Sequence, residues 1–570
     1  MAESERSQVL ADLTGEEFVQ AATTLFTEFR DAYTSEWSRL NENEALYQAR
    51  HWENMSTSDT ENENQPVTPI IMSTVENLKA DMADNFPQAI IRPEAPEDQA
   101  VAEVIGALIR QNHDSANYRE EYMKSCHDML VGGWCCEEVG YDPELNHGLG
   151  GAYIRNVDNH TVLVDPQVVD IQLGRAIFKM SPVTVEWLEQ RYPSLAGSFQ
   201  ADSFTLEKDH ELSYDSNKTI LLIEVWYKQF IAEGKDGKEG HWVVHMAHIA
   251  GGQLLDDSRD EKPDGYFQMG DYPFVISTMY RRKNSPLGYG VPDYFGQAQQ
   301  DSDRLDSVVM KNAAMAARNK ILNTEASGFD SEDLADWSKS VHEGDNLNGV
   351  TWFANPPLPG YLLSQGDVIR GRVKEESGSN DFSRGNTTSG VTAASSIMAL
   401  QEMANKRVRM VCMQKMEAYK KAVRYEIEME REFNTLPRQL TLTIDGQQVQ
   451  AEFQASIMER QTALGNNVPI EFMISIKVEK ENRWATTAQN ELVLQMVQLG
   501  IIQPAQAVEL MEFEGKETLL NKVASMQQQP SPEEMMQEQE MQQAQAEQAD
   551  IDAAIAQLSG GQDAGPNALG

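Results

Sequence analysis

One apolar stripe constrains this chain more than any other feature. Between 391 and 432, Ile397, Leu400, Ala404, Val408, Val411, Cys412, Met416, Tyr419, Val423 and Ile427 recur mainly every three or four residues. That is the step of a helix that turns one face to a partner. Kept up for roughly eleven turns of 3.6 residues, it predicts a helix on the order of 60 Å long. The other faces mix Lys406, Arg407, Arg409, Lys415, Lys420, Lys421 and Arg424 with Glu402, Glu417, Glu426 and Glu428. Alternating charge of this kind suits solvated or laterally paired helix faces.

Upstream the periodicity is mixed. Residues 14–40 read as an amphipathic helix opened by a capping box of Thr14 and Glu17. Its stripe of Phe18, Ala22, Phe26, Phe29, Tyr33, Trp37 and Leu40 is core or subunit contact. A polar, Asn-rich loop covers 54–66. Thr68 and Pro69 then start a second helix carrying Ile70, Ile71, Val75, Leu78 and Met82, with Pro87 as its stop. A short strand at Ile90 and Ile91 precedes helices over 96–117 and 119–130, the latter ended by Gly132 and Gly133. Strands are expected over 134–141, 151–157, 162–164, 176–180, 220–230, 242–248 and 273–280, with turns at 233–240 and 256–265. Residues 1–283 therefore read as an α+β region of mostly local hairpins.

Beyond 283 the pattern changes again. Leu305, Val308, Val309, Ala313, Ala316 and Ala317 give the helix at 292–321 a face narrow enough for close helix contact. Residues 323–360 read as irregular, with Trp337, Trp352 and Phe353 and the prolines Pro356, Pro357 and Pro359. A helix-compatible piece at 361–376 leads into a polar, Gly-rich stretch that ends at Gly390. After the long helix come strands at 439–444 and 447–453, turned by Asp445 and Gly446, and another at 470–479. Helices are expected over 485–499 and 503–512 and on to about 525. From 527 the chain is rich in Gln, Ala and Glu, too poor in large apolar residues to fold alone.

The search for chemistry returns exclusions. No run approaches 18 consecutive apolar residues, so no membrane span is expected. Met1–Arg6 lacks the apolar core of a signal peptide, which points to synthesis in the cytosol. Cys126, Cys135 and Cys136 lie near His127 and His147, but no C-x-x-C spacing occurs and adjacent cysteines seldom share one ion. They and Cys412 read as buried, inert thiols. No P-loop, G-x-S-x-G, H-E-x-x-H or calcium-type Asp repeat is present. His127 and Asp128 read as a surface pair. No catalytic residue, metal or cofactor is therefore assigned. With 89 acidic and 47 basic residues the formal charge is −42, unsuited to gripping nucleic acid by net field. An acidic wall suits a conduit past which a polyanion slides; it equally suits plain solubility.

The order of segments is similar to that of portal proteins, the head-to-tail connectors of tailed double-stranded DNA bacteriophages. Ser285, Pro286, Leu287, Gly288, Tyr289 and Gly290, then Asp301 to Lys311, resemble that family's lead into its first stem helix. Ser389, Gly390, Val391, Thr392, Ala393 and Ala394, then Gln401, Glu402, Ala404, Lys406 and Arg407, resemble its lead into the long helix. Asp165 with Pro166 and the segment Thr184–Pro193 resemble its wing. The resemblance covers most of the chain.

It implies an α+β, multi-region architecture in a ring oligomer. The helical N-terminus and α/β wing would be 1–283, the first stem helix 284–322, the clip 323–360 and the second stem helix 361–378. A tunnel loop at 379–390, a long kinked helix at 391–434, wing strands at 435–482, a helical crown at 483–526 and a tail at 527–570 would follow. A ring would give the long helix the lateral partners it needs, through heterologous contacts; the family implies a dodecamer at one capsid vertex of the virion. Expected partners are duplex DNA without sequence specificity, the terminase large subunit, major capsid and scaffolding proteins and a tail adaptor. Arg384, Asn386, Thr387 and Thr388 on the tunnel loop are the first candidates for passing phosphate contact. Arg370, Arg372, Lys374, Lys311 and Arg318 come second, since stem charges equally suit ion pairs between subunits. Trp337, Trp352 and Phe353 are candidate partner anchors, with clip core the favoured reading. The alternatives are a nucleic-acid-processing enzyme with an unrecognised site, and another head–tail structural protein.

Overall fold

The computed structural model of the chain describes residues 10–53, 65–201, 218–233, 239–267, 269–317, 320–336, 338–353, 358–377, 406–444, 447–461, 467–480, 483–502, 507, 510 and 511. The chain divides into two compact units, Met1–Leu440 with Ala451–Lys480, and Thr441–Gln450 with Glu481–Gly570.

Helix α1 (Gly15–Tyr47) buries every residue of its expected aromatic stripe. Its capping box does not form: Thr14 makes no side-chain cap bond. Gly15 follows at φ +57, which turns the helix's first residue left-handed and takes the hydroxyl off the free amides. Helix α2 (Ile70–Ala83) starts after Pro69 as expected. Pro87, however, lies inside strand β1 (Asn85–Pro93), which is much longer than its two-residue apolar signal. Helices α3 (Gln99–Ser115) and α4 (Tyr118–Val131) follow.

Strands β2 (Trp134–Asp142), β3 (Gly151–Val157), β4 (Val162–Val164) and β5 (Ala176–Thr184) lie where strands were expected. Helix α5 (Val185–Arg191) interrupts them, capped by Thr184 Oγ1, which accepts from Trp187 N at 3.2 Å. Then come β6 (Thr219–Glu233), β7 (Glu239–Ala250), β8 (Gln253–Asp257), β9 (Phe274–Thr278), β10 (Tyr280–Arg281) and β11 (Gly288–Tyr289). Strand β8 and the helical turn Ser258–Glu261 occupy the start of what read as a connecting turn at 256–265.

Helix α6 (Val291–Ala317) ends earlier than expected, because Lys320 already begins β12 (Lys320–Asn323). Its partner β13 (Val350–Phe353) lies across the stretch that read as irregular. Four-residue strands leave too little alternation to see. Helix α7 (Gly360–Ser377) matches the expected piece. Helix α8 is Lys406–Phe433; the first part of the long stripe, 391–405, lies outside the described residues. Strands β14 (Arg438–Ile444) and β15 (Gln447–Phe453) pair around a turn, Asp445 and Gly446, that also lies outside them. Strands β16 (Glu459–Gln461), β17 (Asn467–Pro469) and β18 (Phe472–Lys480) complete the first unit. In the second unit α9 (Arg483–Gln498) stops before Gly500 at φ +70.

The fold is α+β. A five-stranded antiparallel meander, β4-β5-β6-β7-β8, is the local-hairpin part. Most strand pairs in 1–283 are local, as expected, with two exceptions: β2 also pairs with β9, and β1 pairs along its whole length with β18. Phe26 and Phe29 of α1 meet Phe178 of β5 edge-on at 5.6 and 5.4 Å, and Phe18 lies 5.2 Å from Tyr227 of β6. Helix α8 packs on the smaller sheet and buries polar groups there. Lys415 Nζ, fully buried, lies 2.8 Å from Glu137 Oε1 of β2. All four cysteines are buried free thiols, as expected. Burial pushes the Cys126 thiol up to about 12.

Candidate functional site

The residues that fix the two predicted stem helices, α6 and α7, form two polar clusters. The first holds the start of α6. There the chain passes three glycines through a space that admits no side chain. A Cβ on Gly133 would lie 2.5 Å from the Tyr289 carbonyl carbon, one on Gly288 2.5 Å from Gly133 O, and one on Gly290 2.5 Å from Val131 O. Gly133 is also at φ +89, so glycine is doubly required.

Arg39 of α1 ties these segments together. Its Nη2 donates to Glu36 Oε1 at 2.5 Å and to Gly132 O at 2.8 Å, and its Nη1 to Asp293 Oδ2 at 2.6 Å. Asp293 in turn accepts from Gly290 N at 2.7 Å, at the first turn of α6. The buried Glu36 also accepts from Trp134 Nε1 at 3.1 Å and Arg282 Nη1 at 3.2 Å. Burial works against the Arg39 cation, but Glu36 and Asp293 outweigh it and raise its pKa above the usual value. One guanidinium thus satisfies groups from the start of α6, the turn after α4 and α1 itself.

The second cluster lies two to four turns along α6, where Gln299, Asp303 and Asp306 share one face. Gln299 Oε1 accepts from Ile70 N and Ile71 N at 3.0 and 3.3 Å, so it caps α2 from outside. Its Nε2 donates to Thr68 O at 2.6 Å. Asp303, fully buried, sits 2.6 Å from Nδ1 of the equally buried His51, whose Nε2 faces Leu46 O at 3.0 Å. Thr68 N donates to the other Asp303 oxygen at 3.1 Å. Asp306 Oδ2 accepts from Thr68 Oγ1 at 3.2 Å and from Arg370 Nη2 of α7 at 2.5 Å. The cluster fixes α6 to α1 and α2, and it lashes α7 to α6.

Past Ser307 the helix changes character. Val308, Met310 and Met315 are exposed, as are Ala313, Ala314, Ala316 and Ala317. In the ribbon beyond, Leu322 and Trp352 are more than half exposed, so Trp352 is not clip core within this chain. Among the described residues no second layer packs over the Trp352 ring on this two-stranded ribbon. Phe353 ends β13 opposite Lys320.

Of the second-choice cations, Arg370 is engaged by Asp306 and, at 3.5 Å, by Asp367. Arg372 is exposed, Lys374 half-buried and Lys311 exposed. Arg384, Asn386, Thr387, Thr388, Arg318 and Trp337 lie outside the described residues. His127 and Asp128 are not a surface pair. They face α1 and β3, with His127 Nε2 3.3 Å from Glu44 Oε2 and Asp128 accepting from Asn156 Nδ2 at 2.6 Å. Burial pushes the Asp128 carboxyl up to about 6.

Sequence reasoning missed Glu36, Arg39 and His51, which stand among apolar residues with no pattern of their own. Gln299, Asp303 and Asp306 did leave a signal: spacings of four and three place them on one helix face.

Among the described residues no helix is long and apolar enough to cross a membrane. A family model described as "Phage P22-like portal protein" matches residues 23–565. No curated protein matches the chain.

Proposed function

Because the chain belongs to the phage P22-like portal protein family, we propose that it forms a ring at one capsid vertex through which the genome is packaged and ejected. The observation that carries the ring is α6. It is locked at its buried end by Asp303 and Gln299, then runs on with Val308, Met310 and Met315 exposed. A helix end fixed in direction yet lacking cover calls for neighbours, and identical subunits in a closed ring supply them. Twelve copies, the family's expected number, would line a channel with α6 and α7.

On this reading 1–283 and 435–482 form the wing, 284–322 and 361–378 the stem, 323–360 the clip and 379–390 the tunnel loop. Residues 391–434 are the long helix, 483–526 the crown and 527–570 its tail. Exposed Trp352 and Leu322 suit docking of the clip to the terminase large subunit and later to a tail adaptor. Capsid and scaffolding proteins would meet the wing. Arg372, Lys374 and the loop residues Arg384, Asn386, Thr387 and Thr388 make transient phosphate contacts, while Arg370 serves the stem. The surplus of acids keeps DNA sliding by denying it strong phosphate contacts. No bond-making step is assigned.

Electron microscopy of the purified chain tests the ring: closed rings with a duplex-wide hole are expected, and monomers at every concentration would overturn the proposal. Deleting 379–390 should leave rings intact and abolish DNA packaging or retention. Loss of assembly instead would make that segment structural.

A further inference from the structure

Between the three-stranded and five-stranded sheets lies a cavity of about 450 Å³ for which the ring reading has no use. Its walls are aromatic. Trp226 is stacked on Phe267 at 5.6 Å, Tyr266 stands edge-on to Trp226 at 6.0 Å, and Phe433 lies 5.7 Å from Tyr266. Tyr153 supplies a further wall because residue 140 is glycine; a Cβ there would meet the Tyr153 ring at 2.5 Å. The protein already uses three of these rings as cation platforms: Lys262 Nζ sits 4.2 Å from the centroid of Phe433 and 5.5 Å from that of Tyr266, and Arg155 Cζ sits 4.0 Å from that of Tyr153.

Charge is unbalanced among the lining residues. Lys179 Nζ lies 2.6 Å from Glu138 Oε2 but 3.6 Å from Glu224 Oε2. Glu224 Oε1 accepts from Trp226 Nε1 at 2.6 Å. Its Oε2 has Lys179 at 3.6 Å and His248 Nε2 at 3.9 Å, both beyond a good hydrogen bond. Of the two carboxylates, Glu138 thus has Lys179 in hydrogen-bond range and Arg155 nearby. Glu224 Oε2 has no cation within hydrogen-bond range among the described residues, in a largely buried, ring-lined space. Electron-rich ring faces with a spare carboxylate attract cations and disfavour anions, and such cages hold ammonium groups whose alkyl surface also contacts the rings.

We propose that this cavity binds an organic monocation, an alkylammonium or guanidinium group, with the aromatic walls around it and Glu224 as its counter-ion. The group arrives either as a free amine or on an arginine or lysine side chain of another protein. The site does not depend on the ring.

The probe is choline, paired with its neutral isostere 3,3-dimethylbutan-1-ol, and the readout is saturation transfer from the assembled full chain to the methyl protons. Choline is expected to receive at least five times the saturation of the alcohol. Glu224→Gln, which keeps side-chain size and the Trp226 bond, should cut the choline signal at least fivefold; it removes one unit from a large negative charge, so diffuse attraction would survive it. Tyr266→Leu, which removes a wall and no charge, should also weaken the signal and serves if the first variant does not fold. Displacement of choline by acetyl-Gly-Arg-Gly-amide would assign a protein-borne cation, and failure to displace it a free amine. Equal saturation of choline and alcohol, or a choline signal unchanged in a folded variant, overturns the proposal.

Discussion

Arg370 stood among the candidates for touching DNA, and its geometry predicts a different role that can be measured. Its Nη2 lies 2.5 Å from Asp306 Oδ2, with side chains 30% and 27% exposed. Fully exposed pairs contribute about 0.2–1 kcal/mol and buried hydrogen bonds to charged groups about 1.5–3 kcal/mol. This half-covered pair should fall between, at about 1 kcal/mol of coupling. A global midpoint averages over the whole chain and is the less direct observable for one helix. Local opening of α7 is the right one. At RT of about 0.59 kcal/mol, 1 kcal/mol corresponds to roughly fivefold faster amide exchange in α7 when opening limits protection. Arg370→Ala should show that acceleration in α7 while α3 and α4 stay unchanged. Asp306→Ala should exceed it, because it also strips Thr68 Oγ1 of its acceptor. The double variant should add nothing to Asp306→Ala in α7, since the lash is already broken. If α7 exchange moves less than twofold while DNA packaging fails, Arg370 is a channel residue and the lash is incidental.

Other perturbations follow from the same packing. Lys415→Met leaves the buried Glu137 without its cation and should cost about 3–5 kcal/mol in denaturation of the first unit, whereas Glu137→Leu with Lys415→Met should recover most of it; a double variant as unstable as the single would refute this. Gly290→Ala drives a methyl into the Val131 carbonyl and should cost at least about 1–3 kcal/mol and reduce ring yield, both read by thermal melting and electron microscopy. Asp128, with its carboxyl at about 6 when folded and about 3.9 when unfolded, binds its proton more tightly in the native state. Stability should therefore fall as pH rises from about 4 to 6, and Asp128→Asn should flatten that fall by about 1–3 kcal/mol in denaturant titrations across the window.

What could be read from the sequence was whatever repeats locally. The stripes of α1 and α8 each bury one face of one helix, and that face writes its period into the chain, while β2, β3 and β6 show as short runs of strand-forming residues between turns. Strand β1 shows why the rest was hidden. Only Ile90 and Ile91 look like a strand, yet nine residues pair because β18 supplies the other edge, with Ser475 bonded to Ile90 across 385 positions. The capping box of Thr14 failed for a similar reason, since a single left-handed glycine outweighed the motif. At the site, the G-Y-G run was legible as a resemblance. Its cause, three backbones in contact under Arg39, needed coordinates: neither Gly133 nor Arg39 is near 288–290 in sequence.

The pairing of β1 with β18 also sets a clock. Strand β1 leaves the ribosome early, but its only hydrogen-bonded neighbour among the described strands is made almost four hundred residues later. At about 5–20 residues per second, that interval is roughly 20–80 s of synthesis. Throughout it the strand presents an unpaired edge that could template the wrong partner. The β1–β18 pair therefore cannot close until synthesis has passed Lys480, and until then β1 depends on its neighbours α2 and α3 for cover.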